Sequence, residues 1–153
     1  MYDDKMTKHA LPLNQQFCFA IYSLNSAMGR LYRPVLAEFG LTYPQYLVLL
    51  ALWERDGQTV GELGKVLFLE TNTLTPLLKR MEVAGLVQRR RSPQDERRVA
   101  VTLTEKGKRL EDRAHDIGLC VTRAVDRGDT DIGALRDQIA DLTERLRAAV
   151  SSS

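Results

Sequence analysis

Apolar residues recur at alternating steps of three and four through Leu13, Phe17, Ala20, Leu24, Ala27, Leu31 and Val35. That spacing predicts one long helix, opened by Pro12 and ended before Gly40, over residues 12–39. Thr42-Tyr43-Pro44-Gln45 reads as a capping box with Pro44 in the first turn, leading into the strongly apolar helix Tyr46 to Trp53. After a turn at Asp56-Gly57, a second box, Thr59-Val60-Gly61-Glu62, starts a short helix through about Leu67. A further helix starts between Thr71 and Thr73 and runs to Ala84, where Gly85 stops it.

Beyond Gly85 the period shortens to two. Val99, Val101 and Leu103 alternate with Ala100 and Thr102 as in a half-buried strand, with Leu86 to Arg90 as antiparallel partner and Ser92-Pro93-Gln94-Asp95 as the turn. Thr104 then caps a helix to about Arg127, Gly128-Asp129 breaks it, and Ile132, Leu135, Ile139, Leu142 and Leu146 mark a last amphipathic helix. The fold class is mainly α with a small β-hairpin, one domain over residues 1–153. Both terminal helical regions, 12–39 and 105–150, carry heptad-like seams, and so short a chain has little central core to bury both. Packing between the subunits of a homodimer buries them; an intramolecular bundle satisfies the same periodicity.

Composition narrows the class. At 153 residues and 44% apolar content the chain can bury one sizeable core. No stretch approaches the roughly 18 uninterrupted apolar residues of a membrane span, and Met1 to His9 is polar, so the expectation is a cytoplasmic protein. The net charge of +2 says little, but its distribution says more: Lys79 to Arg109 holds ten Lys or Arg against four acids, leaving −4 for the rest. Such a block suits a phosphate-binding surface and also a merely solvated face. Metal sensing is not expected, because His9, His115, Cys18 and Cys120 offer no closely spaced ligand pair; no cofactor-binding Gly-rich loop or catalytic triad pattern appears.

Two short helices joined tightly, the second polar at its start, match a helix-turn-helix whose second helix enters the major groove of double-stranded DNA. Thr71, Asn72, Thr73 and Thr75 are the candidate readers, Lys79 and Arg80 reach the backbone, and Leu74, Leu77, Leu78 and Met81 face inward. The hairpin that follows carries Asp95-Glu96-Arg97-Arg98 and then Leu103-Thr104-Glu105-Lys106-Gly107. In these motifs and in helix order over nearly the whole chain, the sequence resembles the MarR family of winged helix-turn-helix regulators. The resemblance implies a DNA-binding part at 42–104, flanked by dimerisation helices, that binds a pseudo-palindromic operator. It makes the hairpin a wing whose tip enters the minor groove through Arg97, with Arg98 beside it and Asp95 fixing the turn and orienting an arginine.

Within that family, Asn14 to Tyr22, Leu31-Tyr32-Arg33-Pro34 and Leu41 to Tyr46 resemble the organic hydroperoxide sensors, the OhrR-like repressors. The resemblance makes Cys18 the peroxidatic cysteine and gives Tyr32 and Tyr43 the role of hydrogen-bonding its thiolate. Fourteen residues of one helix separate Cys18 from Tyr32 by about 21 Å, so the tyrosines must come from the other subunit. A helix start near Pro12 lies more than a turn from Cys18 and would add little to an anion there. Phe17, Phe19 and Ile21 give an apolar approach for organic hydroperoxides. Cys120 suits a resolving cysteine of the two-cysteine type, with an inert buried thiol as the alternative.

The resulting expectation is a non-enzymatic repressor, bound to DNA when reduced and released by oxidation of Cys18. A regulator of a small lipophilic or aromatic ligand with structural cysteines is one alternative. A thiol peroxidase is the other.

Overall fold

The computed structural model describes residues 11–126 and 128–151, so His9 and Arg127 lie outside the described residues. The chain forms two compact units divided between Ile117 and Gly118.

The first unit holds a 3-10 turn at Leu13–Gln15, then α1 (Phe17–Ala37), α2 (Tyr43–Glu54), β1 (Gln58–Thr59), α3 (Val60–Leu67), α4 (Thr71–Val83), β2 (Val87–Arg91), β3 (Val99–Leu103), α5 (Glu105–Arg109) and the start of α6 (Glu111–Val125). Its core is built from Leu36, Val48, Leu49, Leu52, Leu63, Leu74, Leu78, Met81, Val87, Val101 and Ile117, all essentially inaccessible. The capping boxes explain where α2 and α3 begin. Gln45 Oε1 accepts from the Thr42 amide at 2.9 Å, Glu62 Oε2 accepts from the Thr59 amide at 2.7 Å, and the Glu62 amide donates to Thr59 Oγ1 at 3.2 Å.

Three expectations need correction. The first helix starts at Phe17, because Gln16 is extended (φ −82°, ψ 122°) after the 3-10 turn that follows Pro12. A single extended residue leaves the apolar spacing intact, so periodicity alone did not register it. The helix expected from Thr104 is two helices: after α5 the ladder tightens to a three-residue bond from the Arg113 amide to the Leu110 carbonyl. The sheet has three strands in the order β1-β3-β2, all antiparallel; two-residue β1 pairs Gln58 with Val101 and is too short for an alternation pattern.

The Leu-Thr-x-x-Gly motif is a packing device. Thr104 Oγ1 accepts from the Gly107 amide at 3.1 Å and donates to the Gly85 carbonyl at 2.6 Å. Gly107 is buried, and a β-carbon there would stand 2.2 Å from the Leu86 carbonyl oxygen. Its own carbonyl accepts from Trp53 Nε1 at 3.0 Å, tying α5 to α2.

The second unit holds the rest of α6 and α7 (Ile132–Ser151). No residue of α7 is buried, and its seam residues Leu135, Ile139 and Leu146 are 42–56% exposed. In the first unit, α1 likewise buries only Leu36 and leaves Phe17, Ile21 and Leu24 about half exposed. No described helix is long and apolar enough to cross a membrane.

Candidate functional site

Helices α3 and α4 meet at a turn in which Phe68 takes the left-handed conformation (φ 54°) and the Leu69 amide bonds to the Gly64 carbonyl at 3.0 Å. A β-carbon at Gly64 would lie 2.8 Å from the Leu69 carbonyl oxygen, so the tight crossing needs glycine there. Leu74, Leu77, Leu78 and Met81 are buried as one face of α4. The opposite face presents Thr71, Asn72, Thr73, Lys79 and Arg80 to solvent, with Thr75 half-buried. The expected reading residues thus share one exposed surface. Pro76 is the sixth residue of α4, so the Asn72 carbonyl lacks its helical donor on that same surface.

The hairpin pairs Val87 with Leu103 and Arg91 with Val99. Its turn is closed by the Arg98 amide on the Asp95 carbonyl (2.9 Å) and the Ser92 amide on the Arg98 carbonyl (2.8 Å). Asp95 Oδ1 accepts from the Arg97 backbone amide at 3.0 Å. It therefore fixes the turn through the main chain and leaves the exposed guanidiniums of Arg97 and Arg98 projecting from the tip. An arginine is oriented elsewhere, by a residue that motif reading missed. Glu82 of α4 accepts from Arg89 Nη2 (2.8 Å), Arg89 Nε (3.1 Å) and the Arg89 amide (3.0 Å). These bonds hold the Glu82 carboxyl below its ordinary range. A Glu and an Arg seven apart across a helix-ending glycine was the available signal.

The cysteine site is distributed differently. Cys18 is exposed and is the second residue of α1. The amides of Phe17, Cys18 and Phe19 precede the first α-helical bond, made by the Ala20 amide to the Gln16 carbonyl at 3.2 Å. This corrects the expectation that the helix starts more than a turn away from Cys18: the residue lies within the first turn of α1. Tyr32 and Tyr43 stand with ring centroids 4.9 Å apart, and Tyr46 lies 6.4 and 6.3 Å from them. Tyr32, Arg33, Leu36, Leu41, Thr42 and Tyr43 border a cleft of about 350 Å³. Burial pushes the Tyr43 phenol up, keeping it protonated as a donor. Cys18 does not border this cleft, and the α1 axis still separates it from Tyr32 by about 21 Å. In the second unit Cys120 is half-buried on α6, and burial pushes its thiol up against weaker opposing backbone hydrogen bonds.

A helix-turn-helix followed by a basic antiparallel hairpin defines the winged-helix class. The profile described as "Transcriptional regulator SarA/Rot" matches residues 30–114. The chain is 45% identical to the HTH-type transcriptional regulator TtmR of Methylorubrum extorquens (strain PA1), covering 92% of this chain and 72% of that one. It is 41% identical to the organic hydroperoxide resistance transcriptional regulator of Bacillus subtilis (strain 168), covering 89% and 92%. Among solved structures, reduced AbfR bound to DNA superposes with a TM-score of 0.79 at 34% identity over 90% of this chain and 94% of that one. AbfR, from Staphylococcus epidermidis, is also known overoxidised on DNA and in a disulfide form, with TM-scores of 0.72 and 0.65. The chain belongs to the SarA/Rot type of the MarR family of winged-helix transcriptional regulators.

Proposed function

We propose that the protein is a dimeric repressor that holds a pseudo-palindromic operator when reduced and releases it when an organic hydroperoxide oxidises Cys18. The observation that carries this reading is the separation of the thiol from its donors: Tyr32 and Tyr43 form one cleft, and Cys18 sits about 21 Å away on the same helix. Antiparallel pairing of two α1 helices would bring the cysteine of one subunit to the tyrosines of the other. It would also cover Phe17, Ile21 and Leu24. The likeness to the Bacillus organic hydroperoxide regulator supports the choice of oxidant class.

The thiolate attacks the distal peroxide oxygen, the O–O bond breaks, an alcohol leaves after taking up a proton, and Cys18 becomes a sulfenic acid. Cys120 of the partner subunit then displaces water from that sulfenic acid, giving a disulfide. AbfR is known on DNA in its overoxidised form and also in a disulfide form, a pattern that favours the disulfide as the releasing species here. The recognition helices of a dimer must match major grooves roughly 34 Å apart; if the reduced dimer holds the two cysteine Cα atoms farther apart than about 7 Å, forming the bond drags one helix relative to the other and spoils that register.

Gel-shift titration with and without cumene hydroperoxide, paired with non-reducing electrophoresis, tests the scheme. Wild type should release DNA and run as a covalent dimer. Cys18→Ser should stay bound and monomeric on the gel. If Cys120→Ser releases DNA as readily as wild type, Cys120 is a packing residue and a sulfenic acid or mixed disulfide is the signal.

A further inference from the structure

Between α4 and the hairpin lies a cleft of about 400 Å³ whose α4 wall is Thr75, Lys79 and Glu82, spaced four and three residues apart on one helix face. Its sheet wall is Arg89 and Arg91, two residues apart on one face of β2, with Val99 opposite Arg91 in the register. Glu82 commits Arg89 to the protein through three hydrogen bonds, and the two charges cancel. Among the described residues neither Lys79 nor Arg91 enters an ion pair, and both are exposed. The cleft therefore carries two uncompensated cations and a hydroxyl, on a wall whose spacing is fixed by an ion pair within the protein.

Duplex geometry says what crosses it. With α4 in the major groove and the Arg97 tip in the neighbouring minor groove, the sugar-phosphate strand dividing those grooves runs between helix and hairpin. We propose that this strand seats in the cleft, with Lys79 and Arg91 gripping its phosphates from opposite walls and Thr75 bonding a phosphate oxygen. Glu82 is a positioning residue that holds β2 at the right distance from α4. The proposal rests on the DNA-binding reading above. It adds Arg91, which no motif marks, and gives an acidic residue on a DNA-facing surface a favourable role.

The test uses the full-length dimer, a duplex selected from random sequence by the wild type, and an unselected duplex of equal length, titrated over a range of salt. Arg91→Ala should weaken both duplexes by the same factor and make the slope of log affinity against log salt shallower by about 1 per protomer, about 2 per dimer. Single methylphosphonate linkages should reveal a position whose neutralisation weakens the wild type and leaves Arg91→Ala unaffected. Glu82→Gln removes a negative charge from the DNA-facing surface, so charge alone predicts tighter binding, whereas loss of positioning predicts weaker binding of a dimer that is still fully folded at the assay temperature. An unchanged slope in Arg91→Ala overturns the phosphate seat, and tighter binding by Glu82→Gln overturns the positioning role. A wild type that selects no duplex from the random pool removes the DNA reading itself, a result separable from either.

Discussion

The helix-turn-helix with its hairpin and the cysteine site place their chemistry in opposite ways. In the first, each element is tied to its neighbour within one chain: Glu82 to Arg89, Thr104 to Gly85 and Gly107, and Asp95 to the turn it closes. In the second, Cys18 and the Tyr32–Tyr43 cleft stand at different levels of α1, whose apolar face is half exposed. A surface that must match DNA is made rigid before binding, which lowers the ordering cost on association. On the proposed reading the cysteine site is shared by two chains, and a switch so placed can move one relative to the other with small covalent changes.

If that contrast holds, the largest effect comes from breaking the rigid half. Gly107→Ala drives a methyl group to within 2.2 Å of the Leu86 carbonyl and disturbs the Trp53 bond. It should destabilise the fold by about 2–3 kcal/mol, read as a lower denaturant midpoint at constant m-value. A midpoint equal to wild type would mean that α5 can shift freely and that the hairpin is not held from behind.

Arg97→Ala should act on function alone. The side chain is exposed at the tip and supports no core. Operator affinity should fall roughly tenfold, within the 1–3 kcal/mol range of a reading arginine, with an unchanged melting temperature. Unaltered affinity at fixed salt would take the tip out of the minor groove.

The split half of the comparison can be tested by mixing subunits. Cys18→Ser chains carry intact tyrosines, and Tyr32→Phe/Tyr43→Phe chains carry an intact cysteine. The double-Phe homodimer should lose thiolate hydrogen bonds and oxidise at least about tenfold more slowly. In a heterodimer of the two variants, the remaining Cys18 faces unmodified tyrosines across the interface and should react at the wild-type rate. A heterodimer as slow as the double-Phe protein would mean that the tyrosines do not act across the dimer.

Much of the DNA-facing half was legible because its signals are local. Capping boxes, a period change at Gly85 and the Asp95–Arg98 motif each describe a few consecutive residues whose geometry follows from their own chemistry. What escaped were features set by distant partners. Two-residue β1 exists because Gln58 is held in place, its Nε2 donating to the Ala51 carbonyl at 2.7 Å, and pairs with Val101. The break after α5 falls at Leu110, just beyond the turn in which Gly107 packs under Leu86. At the cysteine site the residue types were legible from resemblance, but the helix start at Phe17 depends on one backbone angle pair at Gln16. That single residue decides whether Cys18 meets the helix end.

The smallest expected effect concerns the clasp between the recognition helix and the hairpin, and acid should loosen it. Glu82 is held below its ordinary carboxyl range chiefly by hydrogen bonds from Arg89, so the folded state favours its ionised form. A depressed carboxyl adds stability that is complete above its unfolded-state pKa, near 4.3, and is lost as pH falls through the lower folded value. Lowering pH below about 4 should therefore erode wild-type stability, and Glu82→Gln, which cannot protonate, should show a shallower acid limb. The limb should not vanish, because Glu62 is depressed as well, first by its hydrogen bonds to Thr59. Both carboxylates are substantially solvated, which keeps the effect modest and makes the difference between variants the useful quantity. Denaturant titrations from pH 3 to 7 should give curves for wild type and Glu82→Gln that run parallel above pH 5 and converge toward the acid end. Curves that stay parallel throughout would show that ionisation of Glu82 adds nothing to the acid limb and that the depressed carboxyl is not linked to folding.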